Sequence, residues 1–88
     1  MYRELVEVAV EHALISMGTL ELKKVKTMLK EMYGITLAES LDHPEYLKSI
    51  LCDLFGNAYQ DIIDTIYTVI ENEKEEKILK DFLYVMES

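Results

Sequence analysis

The chain has 88 residues, 50% of them hydrophobic, and a formal net charge of −8 at pH 7. The length predicts one domain over residues 1–88, because two halves would each lie near the roughly 40 residues at which a core needs disulfides or metals. The acidic balance argues against nucleic-acid binding, which depends on Lys and Arg contacts to phosphates. The single cysteine excludes an intramolecular disulfide and a cysteine-based metal cluster, and we expect no cofactor.

The sequence also bears on the compartment of the protein. No apolar run approaches the roughly 20 residues that are needed to span a bilayer. Glu4 and Glu7 interrupt the N-terminal segment, where a signal peptide would need an unbroken apolar stretch. We therefore expect a cytoplasmic protein with no membrane contact.

Apolar residues recur with a helical period, and no segment shows sustained period-two alternation. The pattern predicts an all-α fold, a compact bundle of about five short helices. Helix 1 is expected over about residues 3–17, ending at Gly18. Its polar strip is narrow, and a helix that is apolar around most of its circumference is expected to be buried on two sides.

Helix 2 is expected to begin at Thr19, a good N-cap residue, and to end at Gly34, which adopts the left-handed conformation at little cost. The following "ITLAESL" has no clear period and is predicted to be a connector with at most one helical turn. The outer face of helix 2 carries a stripe of three lysines: Lys23, Lys26 and Lys30.

The stretch "DHPEYLKSILCDLFGNAYQDII" raises the choice between a ligand loop and a junction of two helices. Pro44 is favoured at the first position of a helix, and the residue before proline is pushed out of the α region, so we expect His43 at the N-cap of helix 3. Gly56 is expected to end helix 3. Asn57 is expected to cap helix 4, with a glutamine at capping-box spacing. The pattern therefore favours a junction.

Helices 4 and 5, over about residues 58–72 and 75–87, have no Gly or Pro between them. If they formed one helix, the apolar stripe of the tail would lie about 160° from that of helix 4. A break near Glu71 to Lys74 is therefore predicted.

A homodimer is predicted from two features, the wide apolar surface of helix 1 and the phase of helix 5. Both helices carry apolar residues beyond what so small a core is expected to hide. We expect helix 1, helix 5 or both to form a twofold interface. The candidate contacts are Val6, Val10, Phe82 and Met86.

Reactive side chains do not form a catalytic pattern. His12 lies on the apolar side of helix 1 without a second ligand three or four residues away, which favours a half-buried structural histidine. Cys52 projects outward between charged neighbours and lacks a base, so catalysis is not expected. The acidic clusters lack the glycine and ligand spacing of a calcium loop. We expect a protein that is not an enzyme.

Three stretches, "EHALISMG" (11–18), "HPEYLKSILCDLFGNA" (43–58) and "ILKDFLYVM" (78–86), resemble the small archaeal family called the Nitrosopumilus output domain. The resemblance implies an all-helical domain, found alone or attached to archaeal signalling proteins, that passes a signal to partners. The family has no established active site, and this chain has no sensor or receiver segment.

Composition, pattern and resemblance together predict a non-catalytic protein–protein interaction or signal-output module. Its protein partner is unknown, and nucleic acid is not favoured. The alternative is a small nucleic-acid-associated regulator that uses the lysine stripe of helix 2.

Overall fold

The computed structural model describes residues 2–71 and 76–87, and these residues contain no β-strand. The all-α prediction is confirmed. Short 3-10 turns lie at Ala38–Leu41 and Gly56–Ala58. The α-helices are α1 (Tyr2–Met17), α2 (Thr19–Tyr33), α3 (Pro44–Phe55), α4 (Tyr59–Ile70) and α5 (Lys77–Glu87).

The helix count differs slightly from the expected five separate helices. The turn Gly56–Ala58 joins α3 to α4 without a non-helical residue between them. The described chain therefore contains four continuous runs with α-helix rather than about five. The radius of gyration is 11.6 Å, with principal extents of 31 × 25 × 21 Å.

Helix α1 lies at the centre of the packing and contacts α2, α4 and the first 3-10 turn. Its buried face includes two alanines, Ala9 and Ala13, whose small side chains permit a close approach of neighbouring backbones. The expectation that α1 is buried on two sides is wrong, because its buried residues share one face, while Val8 and Ile15 on the opposite face are 57% and 54% exposed.

The four residues predicted to contact a second subunit belong instead to the core of one chain. Val6 and Val10 are 0% exposed, Phe82 is 1% exposed and Met86 is 0% exposed. Their assignment to an interface is therefore wrong. The apolar stripe of α5 differs in phase from that of α4 because α5 packs mainly against α3 and makes fewer contacts with α4.

The α1–α2 junction consists of one residue, Gly18, which is the N-cap of α2 with φ 142°. Thr19 is the first helical residue, so its prediction as the cap is wrong. At the other end of α2, Gly34 has φ 69° and ψ 27°, as predicted. Its N–H donates to the Lys30 carbonyl at 2.9 Å, and the Ile35 N–H donates to the Leu29 carbonyl at 3.4 Å.

The α3–α4 junction is partly as predicted. His43 is the N-cap residue of α3, although its side chain makes no capping hydrogen bond, and Pro44 is the first helical residue. Gly56 has φ 47° and ψ −107°, a conformation that favours glycine. The prediction for Asn57 is wrong, because the chain stays helical through the turn and Ala58 is the N-cap residue of α4.

The predicted break between helices 4 and 5 falls mostly on residues 72–75, which lie outside the described residues. Helix α4 ends at Ile70 and α5 begins at Lys77. Among the described helices, none is both long enough and apolar enough to cross a membrane.

Candidate docking surface

Large apolar side chains remain exposed at a few positions, and three of these positions surround the α1–α2 junction. Ile15 is 54% exposed, Met17 is 40% exposed and Leu20 is 78% exposed. Isolated exposed apolar residues are normal on proteins, whereas a local concentration marks an interaction surface. The other exposed positions are Val8, Met32, Ile78 and Tyr84.

Helix α2 presents one row of side chains spaced four residues apart, here called the α2 ridge: Leu20, Lys24, Met28 and Met32. Residues four apart form a ridge on the surface of a helix. Leu20 and Met32, at its two ends, are 78% and 56% exposed, and Met28 is partly buried against the core. Most of the ridge is therefore available to another molecule.

Beside the ridge lies a depression of about 200 Å³, here called the α2–α3 groove. It is lined by Met17, Glu21 and Lys24 on one side and by Leu54 and Phe55, at the end of α3, on the other. Pockets for small molecules usually have volumes of roughly 300–1,000 Å³. The groove is thus better matched to a few side chains of a partner protein.

The groove carries one acid, Glu21, whose carboxylate lies close to Gly18, and one base, Lys24. Neither Glu21 nor Lys24 forms an ion pair with any residue in the described ranges. On the neighbouring face of α2, by contrast, Lys26 forms an ion pair with Glu11 at 3.1 Å. Two unpaired charges of opposite sign beside exposed apolar side chains are typical of the polar rim of an interface.

The lysine stripe of α2 lies beside acidic residues of α1. Lys26 bonds to Glu11, and Lys26 and Lys30 line a second depression of about 210 Å³ together with Glu7 and apolar residues of the connector. Lys23 and Lys30 form no ion pair with the described residues. The acids reduce the positive potential that the stripe could offer to a phosphate backbone.

His43 has a structural contact that the sequence did not predict. Its ring stacks on Tyr46 with the ring centres 5.0 Å apart, and Tyr46 stacks on Tyr33 at 4.1 Å with the rings parallel. The stack joins the end of α2 to the start of α3. Helical periodicity carries no signal for a contact between rings on different helices.

The reactive side chains are dispersed. His12 is exposed rather than half-buried, which corrects the prediction, and Cys52 is exposed as expected. No group of His, Cys, Asp and Glu suited to a metal is found among residues 2–71 and 76–87.

Tyr59 has the most perturbed titration among the described residues. Burial, and to a smaller extent the charges of Cys52 and Glu87, raise the pKa of its hydroxyl above the usual value. The hydroxyl donates to the Met86 carbonyl at 2.5 Å. This bond ties the start of α4 to the end of α5.

One capping motif was missed in the connector "ITLAESL". The Glu39 carboxylate accepts from the Thr36 N–H at 3.1 Å, and the Glu39 N–H donates to the Thr36 hydroxyl at 3.3 Å. This is a capping box, and the spacing of Thr36 and Glu39 is its sequence signal. The turn that follows places Ser40 and Leu41 in the core.

Comparison with family models, with curated proteins and with solved structures found no match to this chain. The resemblance to the Nitrosopumilus output domain therefore stays a prediction. The candidate surface is defined by its own geometry, on an all-α fold with an exposed apolar ridge.

Proposed function

We propose that this protein is a non-catalytic protein–protein interaction module that binds its partner through the α2 ridge and the α2–α3 groove. One observation carries the proposal: Leu20 remains 78% exposed on the α2 ridge, whose next residue, Lys24, lines the α2–α3 groove, although the core is formed without it. Such exposure has no role in folding, because an apolar side chain contributes to stability by leaving water.

The chemistry of the surface suits an amphipathic helix as the bound element. A partner helix lying in a groove inserts apolar side chains at helical spacing. Methionine side chains, here Met17, Met28 and Met32, are flexible and polarizable and adapt to the shape of what they contact. The unpaired Glu21 and Lys24 would orient the partner by charge.

The biological setting is a second part of the proposal. The resemblance to the archaeal output domain supports a role in passing a signal to a protein partner in the cytoplasm. The predicted homodimer also belongs here, with the α2 surface in place of the buried residues Val6, Val10, Phe82 and Met86.

Site-specific photo-crosslinking tests the surface. A photoreactive amino acid replaces Leu20 in one variant and Tyr84 in the control variant, since Tyr84 is 76% exposed on another helix. We expect a discrete product from position 20, in purified protein or in lysate of the source organism, and none from position 84. Unlabelled wild-type protein should reduce the yield of the position-20 product by competition, and the Leu20→Glu protein should leave that yield unchanged. Equal products from both positions, or none from position 20, would contradict the proposal.

A nucleic-acid-associated regulator is the second candidate, favoured by the shared face and exposure of Lys23, Lys26 and Lys30. An electrophoretic mobility assay over a range of salt concentrations separates the two functions. Phosphate contacts weaken steeply with salt, and Lys23→Ala with Lys30→Ala would then reduce binding. We expect no shift, given the net charge of −8.

A further inference from the structure

We infer that the partner of the α2 ridge is a second copy of this chain, whose α2 packs antiparallel to the first across a twofold axis near residues 22–23. The inference rests on the proposed function, since it names the partner of the same surface. A twofold interface uses the same patch on both copies, so the patch must be complementary to itself. The α2 ridge and groove meet that condition in charge.

The two charges that line the groove, Glu21 and Lys24, select the register. In two antiparallel helices related by a twofold axis, residues equally distant from the axis lie opposite each other. An axis between residues 22 and 23 therefore places Glu21 opposite Lys24 of the partner subunit, and Lys24 opposite the partner's Glu21. This register thus pairs both charges of the groove, neither of which forms an ion pair with the described residues of one chain.

The same register brings the apolar residues together. Leu20 comes beside the aliphatic stem of Lys24 of the partner subunit, and Met28 comes opposite the end of α1 where Met17 is exposed. Glu21 and Lys24 lie three residues apart on a helix whose rise is about 1.5 Å per residue, so all these contacts fall within a few turns of the axis. The exposed Leu20 would then be covered on both copies.

Net charge also favours this surface over others. Each copy carries −8, so most faces of two copies repel each other. The groove carries one acid and one base and is locally neutral. A foreign partner would need the complementary pair in the same register, whereas a second copy supplies it by symmetry.

Charge exchange tests the inference. Positions 21 and 24 of the two copies form two pairs across the axis. Glu21→Lys alone makes both pairs lysine with lysine, and Lys24→Glu alone makes both pairs glutamate with glutamate. Each variant should weaken self-association about tenfold, the effect expected from replacing two rim attractions with two repulsions. Analytical ultracentrifugation, with the 10.3 kDa chain as the monomer, measures the change.

Recombination gives the sharper outcome. An equal mixture of the two single variants should form a heterodimer of near wild-type affinity, because every pair across the axis is then opposite in charge. The double variant, Glu21→Lys with Lys24→Glu, keeps the net charge of −8 and should also dimerise like the wild type. Circular dichroism of each variant checks that the fold is kept.

Three outcomes overturn the inference in different ways. A wild-type chain that stays monomeric to millimolar concentration excludes the dimer. If a foreign protein is then identified as the product crosslinked at position 20, the proposed function still holds. A dimer indifferent to both single exchanges lies on another surface. A monomer with no product from position 20 removes the inference and the proposed function together.

Discussion

Helices α4 and α2 are both amphipathic, yet they differ in what their apolar residues do. Four isoleucines of α4, Ile62, Ile63, Ile66 and Ile70, are at most 1% exposed. Helix α2 is longer but buries only Val25 and Leu29. Its other apolar residues include some of the most exposed in the described chain. Helix α4 therefore contributes its apolar residues to the core, whereas α2 presents several of its own to solvent.

The residue types follow this division. Isoleucine is β-branched and has one strongly preferred rotamer in a helix, so it fills a fixed space at a low cost in side-chain entropy. Methionine has more freedom and tolerates varied neighbours. The residue types thus suit rigid packing on α4 and adaptable contacts on α2.

The largest predicted effect is the loss of stability when a buried residue of the core helix α4 is truncated. Ile66 is 0% exposed, so Ile66→Ala removes buried methyl groups and leaves a cavity. We expect a loss of about 2–5 kcal/mol in the free energy of unfolding, measured by urea denaturation. Met32→Ala on α2 is the control, with an expected change of at most about 0.5 kcal/mol. Similar losses in both variants would contradict the division.

The second prediction concerns the junction that leads into α4. At Gly56, with φ 47° and ψ −107°, an added Cβ would meet no atom within 4 Å, so the cost of Gly56→Val is backbone strain rather than a clash. We expect a loss of about 1–3 kcal/mol, seen as a lower melting temperature. Asn57→Ala should be nearly neutral, because no capping bond exists there. An unchanged melting temperature in the valine variant would contradict this account.

These junctions show how far the sequence predicts the fold. Periodicity and the residues Gly18, Gly34, Pro44 and Gly56 located the helices and most of their ends, because each acts through local backbone geometry. The prediction that Asn57 caps helix 4 is wrong, because the chain continues after α3 as the 3-10 turn Gly56–Ala58 and does not leave the helical conformation at Asn57.

The third prediction sharpens the contact between α4 and α5. Tyr59→Phe removes the hydroxyl that donates to the Met86 carbonyl at 2.5 Å, and we expect a loss of about 1 kcal/mol at neutral pH. Burial raises the pKa of the Tyr59 hydroxyl in the folded state. An unfolded tyrosine ionises near pH 10, so stability is retained below that pH and falls as pH rises above it.

The variant lacks this ionisable group and should lose less stability than the wild type above about pH 10. Chemical denaturation at neutral and alkaline pH measures the difference. Parallel losses in the two proteins would show that Tyr59 ionises alike in the folded and unfolded states.

The candidate surface was harder to predict than the helices. The apolar surface of α1 is wide in the sequence, but which of its residues are buried depends on how the helices pack, and Val8 and Ile15 stay exposed. Val10 and Leu20 look alike in a helical projection, and α1 is covered by α2 and α4 while the outer side of α2 is not. A single sequence does not contain that information, because packing order is set by contacts between distant segments.

The smallest predicted effect on stability concerns Leu20, on the exposed surface of α2. Leu20 is 78% exposed and contributes little to the core, and it is the second residue of α2. In Leu20→Glu the new carboxylate lies near the positive end of the helix dipole, an interaction worth about 0.3–1 kcal/mol. At concentrations where the chain is monomeric, we therefore expect unchanged or slightly raised stability, while binding at the ridge is lost. Leu29→Ala, at a buried position of the same helix, is the contrasting variant, with an expected loss of about 2–5 kcal/mol. A Leu20→Glu protein that unfolds as readily as the Leu29→Ala protein would assign Leu20 to the core, and the exposed ridge would no longer explain why α2 carries it.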